Sequence, residues 1–110
     1  MDKLDIPQGT LDLMILTILT REPMHGYGIA QHIQMLSADV LTIEEGSLYP
    51  ALQRLEHQGL IRGEWQVSEN NRRAKFYALT RAGRKQVETE TRQWEETAAI
   101  MARFLGTAEE

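Results

Sequence analysis

At 110 residues the chain is long enough for one hydrophobic core and too short for two, and its 42% hydrophobic and 25% charged residues mark a folded globular protein. With no cysteine it can make no disulfide, thiolate metal site or cysteine nucleophile, and its longest apolar stretch, Leu11 to Leu19, is too short to span a bilayer, so a cytoplasmic location is expected. The net charge of -4 argues against a nucleic-acid binder until it is divided along the chain: Arg62, Arg72, Arg73, Lys75, Arg81, Arg84 and Lys85 face only Glu64 and Glu69 within residues 62–85, while both flanking segments are acidic.

The first helix is expected from about Gln8 to Thr20, started at Gln8 or Thr10 and stopped by Arg21-Glu22-Pro23. Leu11, Met14, Ile15, Ile18 and Leu19 form its apolar stripe, and Leu13 and Leu16 place apolar groups on the opposite side. A helix apolar nearly all round at the edge of a small domain is expected to turn one side toward another subunit. The second helix is expected over Gly26–Leu36, with Ile29, Ala30, Ile33 and Leu36 inward and His25 helping to start it. After a connector holding Val40, Leu41 and Ile43, Glu45-Gly46-Ser47 opens a third helix reaching to about Gln58, with Pro50 in its first turn, Leu48, Ala51, Leu52 and Leu55 as its stripe, and Gly59 as a left-handed stop.

From Ile61 the period changes to two: Ile61, Gly63, Trp65 and Val67 alternate with Arg62, Glu64 and Gln66. Ser68 to Arg73 reads as a hairpin tip and Ala74 to Leu79 as the returning strand. Thr80 is the expected N-cap of a last helix continuing to about Leu105, a rod of roughly 37 Å if it is fully helical. Its residues Val87, Thr91, Trp94, Ala98, Met101 and Leu105 recur at spacings of four and three, a heptad seam that implies a dimer built jointly from the first and last helices.

Three short helices followed at once by a basic-tipped hairpin are the plan of a winged helix-turn-helix, in which the third helix enters the major groove and the hairpin touches the DNA backbone. The expected fold is therefore mainly α with a small β-hairpin. Residues 1–80 form the DNA-binding domain, and residues 81–110 form a C-terminal dimerisation helix with a short tail. On charge alone the 62–85 run reads equally well as a solvated patch; its place on a wing is what favours DNA. The same fold can also serve as a protein-interaction module without DNA binding, which the acidic ends would suit.

Five blocks now stand in order: Gln8-Gly9-Thr10-Leu11-Asp12; His25-Gly26-Tyr27; Glu45-Gly46-Ser47-Leu48-Tyr49-Pro50-Ala51-Leu52-Gln53-Arg54-Leu55-Glu56; Gly59-Leu60-Ile61; and Tyr77-Ala78-Leu79-Thr80-Arg81-Ala82-Gly83. Together they resemble the PadR family of bacterial transcriptional regulators, over nearly the whole chain and in the length of its short subfamily. Gly28 and Ser47 depart mildly from the family pattern. The resemblance implies a dimeric winged-helix repressor, often released from its operator by a small molecule.

On the third helix Ser47, Tyr49, Pro50, Gln53, Arg54 and His57 fall outside the leucine stripe, and the first five are the expected DNA-facing residues. Gln53 and Arg54 are the expected base readers, since glutamine can pair with adenine and arginine with guanine through two hydrogen bonds each. Arg54 has a competing role in an intrahelical salt bridge, and Tyr49 one as a half-buried packing residue whose hydroxyl reaches a phosphate. Arg72, Arg73 and Lys75 are expected to contact phosphates or lie against the minor groove. Trp94 is a poor knob between close helices. It is either an ordinary interface aromatic or, by resemblance to family members that bind flat aromatic effectors at the dimer interface, a stacking platform for such a molecule.

His25, His32 and His57 lack metal-site spacing beyond a His-x6-His, and neither a metal nor another cofactor is expected. No catalytic residue is expected either: the sequence holds no phosphate-binding glycine loop, no Gly-x-Ser-x-Gly elbow and no His-Glu-x-x-His. The partners expected are an inverted-repeat operator in double-stranded DNA, a second copy of the chain and a small-molecule effector, with no membrane.

Overall fold

A computed structural model describes residues 6–67 and 69–108; Ser68 of the expected hairpin tip, and residues 1–5 and 109–110 at the expected domain ends, lie outside the described residues. The order is α1 (Gln8–Leu19), β1 (Met24–His25), α2 (Gly26–Leu36), α3 (Glu45–His57), β2 (Ile61–Val67), β3 (Arg73–Leu79) and α4 (Arg81–Leu105). The strands form one antiparallel sheet in the order β1-β3-β2, with Ile61 opposite Leu79 and Val67 opposite Arg73. Strand β1 was not expected. Its two residues, Met24 and His25, pair with Tyr77 and Phe76, and so short a segment carries no periodicity to read.

The helix ends follow their local chemistry. Helix α1 starts without a side-chain cap, because Pro7 at that position has no side-chain acceptor; its carbonyl accepts from the N–H groups of Thr10 and Leu11 at 3.0 and 3.1 Å. At the start of α2 the Nδ1 of His25 accepts the N–H of Gly28 at 3.0 Å, a role that requires Nδ1 unprotonated. Helix α3 ends in a Schellman arrangement: Gly59 sits at φ 76°, its N–H reaches the carbonyl of Glu56, and the N–H of Leu60 reaches that of Leu55, both at 3.0 Å. Thr80 caps α4 by accepting the N–H of Gly83 at 3.0 Å, and donates its hydroxyl to the carbonyl of Gly59 at 2.7 Å. One threonine thus joins the end of α3 to the start of α4.

Pro50 lies one turn later in α3 than expected. Helix α3 begins at Glu45, so Pro50 falls in its second turn and has no N–H to offer the carbonyl of Gly46.

The core is drawn from every layer. Ile15, Leu16 and Leu19 of α1, Ile29 of α2, Leu48, Leu52 and Leu55 of α3 and Ile61 of β2 are fully buried together. Each contributes on the order of 1.5–3 kcal/mol of transfer free energy, before the entropy of ordering is set against it. Leu16, opposite the main stripe of α1, is buried within its own chain, where α1 packs on α2, α3, α4 and β3. A helix first in sequence is central in space. Leu13 remains half-buried at the edge.

Helix α4 leaves this core after its first two turns. Gly83 is buried, so close to Leu60 that a Cβ there would overlap the Leu60 carbonyl oxygen, and Val87 still packs on the core. Farther on, Trp94, Ile100, Met101, Phe104 and Leu105 are exposed. Among the described residues no helix is long and apolar enough to cross a membrane.

Candidate nucleic-acid interface

With Leu48, Ala51, Leu52 and Leu55 turned inward, the helical repeat carries Gly46, Pro50, Gln53 and His57 to the middle of the opposite face of α3, and all four are exposed. The residues between these faces lie on two flanks, and each flank is fastened to a different neighbour.

On one flank are Ser47, which is exposed, and Arg54, which turns back to α1. An Nη of Arg54 donates to Oδ1 of Asp12 at 2.5 Å, with both side chains largely enclosed, at 29% and 16% exposure. This corrects the expectation for Arg54: it is salt-bridged, but between helices and not within α3. One Nη of this guanidinium is engaged by Asp12, and its Nε is enclosed. Among the described residues Gln53 has no such tie, and it stays exposed.

On the other flank are Tyr49 and Glu56. Tyr49 is about half exposed, and its ring covers Gly26 at the start of α2, where a Cβ would stand 2.8 Å from the phenol oxygen. The Tyr49–Gly26 pair joins the His25-Gly26-Tyr27 block to the block that forms α3, and a Cβ at position 26 would have to push the end of the Tyr49 side chain aside. Glu56 binds the hairpin through both oxygens: Oε2 accepts the N–H of Gly63 at 3.2 Å, and Oε1 accepts from Nζ of Lys75 at 2.9 Å.

Lys75 therefore also departs from expectation. It bridges strand β3 to α3 and lies 5.6 Å from the centroid of Tyr77, away from the hairpin tip. The hydrogen bond to Glu56 holds its ammonium pKa above the ordinary 10.5, with the opposing effect of burial smaller. At the tip Arg72 and Arg73 are exposed, and Arg73 lies over the ring of Trp65, 5.2 Å from its centroid.

Trp94 stands 57% exposed between two grooves. One, of about 360 Å³, is lined by apolar residues of α1 and α2, among them Leu13, Met14, Ile33 and Leu36; the other, of about 260 Å³, lies between the start of α1 and Glu90, Gln93 and Thr97 of α4. Among the described residues no cluster of three or more His, Asp or Glu could hold a metal ion: His25 caps α2, and His32 faces the Gly28 carbonyl at 2.9 Å.

Sequence reasoning missed Asp12, Glu56 and Trp65. Asp12 and Glu56 gain their roles only through contacts between elements. His57, which lies off the leucine stripe, stands at the middle of the outer face when positions are counted around the helix.

A three-helix core with one face of α3 bare and a basic antiparallel hairpin fastened beside it defines a winged helix-turn-helix protein. Within that class the chain belongs to the transcriptional regulator PadR-like family, whose model matches residues 15–89. It is 31% identical to an uncharacterized protein of Lysinibacillus sphaericus, over 92% of this chain and 93% of that one. It is 36% identical to the transcriptional regulator YqjI of Escherichia coli over 91% of its own length, spanning 47% of that longer protein. Among solved structures, a transcriptional regulator from Clostridium thermocellum superposes with a TM-score of 0.80 at 30% identity, covering 88% of this chain and 91% of that one. A PadR family regulator from Clostridium difficile superposes with a TM-score of 0.77 at 30% identity, covering 86% and 97%. The protein is a PadR-family transcriptional regulator.

Proposed function

We propose that this regulator binds B-form DNA as a homodimer, with α3 in the major groove and the β2–β3 hairpin on the sugar-phosphate backbone. The observation that carries the reading is the double anchoring of Glu56, which fixes the hairpin beside the bare face of α3. A recognition helix and a wing held as one rigid unit can present both elements to one duplex.

Gln53 is the base reader of this arrangement, with Ser47, Tyr49 and Pro50 nearer the backbone and Arg72 and Arg73 on phosphates. Arg54 sets the angle of α3 on α1, and Lys75 sets the hairpin. Residues 1–80 form the DNA-binding part and residues 81–110 the dimerisation helix. The exposed apolar side chains of α4, Phe104 at 81% and Leu105 at 68% above all, are the surface a second copy would cover, together with the open edge of α1. The regulator acts as a cytoplasmic repressor, released when a planar aromatic molecule stacks on Trp94 and fills the adjoining apolar groove.

Footprinting on the intergenic DNA upstream of its own gene tests this reading. The expected result is an inverted repeat protected in two half-sites about one helical turn apart. Absence of any salt-sensitive binding to that DNA would leave the fold serving as a protein-interaction module.

A further inference from the structure

Trp65 has no place in a hairpin that binds by charge alone. It is 59% exposed on the face of β2 that runs from buried Ile61 through Gly63 to Val67, itself 66% exposed. Arg73 is opposite Val67 across the ladder and reaches diagonally over the indole, 5.2 Å from its centroid. The other cation on this face, Lys75, is directly opposite Trp65 but is drawn away to Glu56. The two basic residues thus have separate tasks: one fastens the hairpin, the other rests on the ring.

A guanidinium held by an aromatic face spends none of its N–H groups on a conventional acceptor, so all five remain available to phosphate oxygens. Among the described residues neither Arg72 nor Arg73 takes part in an ion pair.

We propose that Trp65 and Arg73 make one composite contact with duplex DNA. The exposed edge of the indole, extended by Val67, packs on deoxyribose at the lip of the minor groove, and Arg73, steadied over the ring, binds the neighbouring phosphodiester. Apolar area by itself would suit a protein partner as well; charge selects the occupant. Arg72 and Arg73 stand at the tip of a segment with seven cations against two carboxylates, which complements a polyanion. Through Gly63 and Lys75 the same face continues to α3. The inference rests on the duplex-binding reading proposed for the regulator and adds to it an apolar, sugar-directed component.

The test titrates the full chain with a duplex of the upstream intergenic sequence at several salt concentrations, following tryptophan emission in the wild type and in Trp65→Phe. Emission should change on binding in the wild type and much less in Trp65→Phe, which should keep most of its affinity. Trp65→Ala should bind about tenfold more weakly, as when one aromatic anchor is truncated, with its salt slope retained because an indole displaces no counterions. Arg73→Ala should lower the slope by about one. Wild-type affinity in Trp65→Ala would overturn the composite contact while leaving duplex binding intact. Failure of the wild type to bind would overturn both, and a Trp65→Ala chain that lost its oligomeric state in sedimentation would assign the platform to a subunit contact instead.

Discussion

Arg54 of α3 and Asp12 of α1, 42 residues apart in the chain, meet through a single charge-assisted hydrogen bond of 2.5 Å. The pair sets the recognition helix on the helix beneath it. The Nε of the same guanidinium is enclosed without a hydrogen-bond partner, a desolvation cost that offsets part of the gain.

A double-mutant cycle on Asp12→Ala and Arg54→Ala in urea should therefore give a coupling of about 1 kcal/mol, at the upper end of the range for exposed pairs and well below that for a fully buried one. Additive losses would mean that the ion pair contributes nothing to the packing of α1 on α3.

Gly83 places α4 directly on the backbone of Leu60, and an added methyl group would meet the Leu60 carbonyl and the Leu79 side chain. Gly83→Ala should lose about 2 kcal/mol or more despite the better helix propensity of alanine, because backbone cannot move aside as a flexible side chain can. Gly9, also helical but with open space around its missing Cβ, serves as the control, and Gly9→Ala should be neutral or slightly stabilising. Equal melting temperatures for the two variants would contradict the close approach.

His25 accepts a backbone N–H at the start of α2 and meets Phe76 edge-on, with ring centroids 5.1 Å apart. Replacing it with alanine should cost about 1 kcal/mol or more, and asparagine, which can accept the same N–H, should recover the capping part of that loss. Thermal melts of the two variants measure the difference, and identical losses would show that only the ring packing matters.

Stability should fall in strong alkali for two related reasons. Lys75 is held above its ordinary 10.5 by the hydrogen bond to Glu56, and Tyr77 above its ordinary 10.0 by burial of its phenol. A group whose folded pKa is raised stabilises the fold fully below its unfolded value and loses that contribution as pH rises through the folded value. Denaturation midpoints should therefore begin to drop only above about pH 10, and the drop should shrink in Tyr77→Phe. A fall that starts near pH 8 would not come from this pair.

The elements were legible in the sequence because their signals are local. The leucine stripe of α3, the period-two run from Ile61 and the Thr80 cap each depend on residues within a turn or a pleat of one another. Contacts between elements were not legible. Nothing near Arg54 announces Asp12, and nothing near Lys75 announces that Glu56 will turn it from the hairpin tip, since those pairings exist only after folding. The same limit hid β1, whose two residues become a strand by pairing with β3. Gln53 could be named from periodicity and Arg73 from its place in a polar hairpin tip, whereas the division of cations between structural ties and free donors required the fold.

The measurement that bears most directly on the account is the salt dependence of binding to the upstream intergenic duplex, compared between the wild type and Arg72→Ala/Arg73→Ala. If the hairpin lies on phosphates, the double variant should bind more weakly to every sequence, and its slope of log affinity against log salt should be shallower by about one for each phosphate that is no longer neutralised. An unchanged slope together with unchanged affinity would take the hairpin off the DNA.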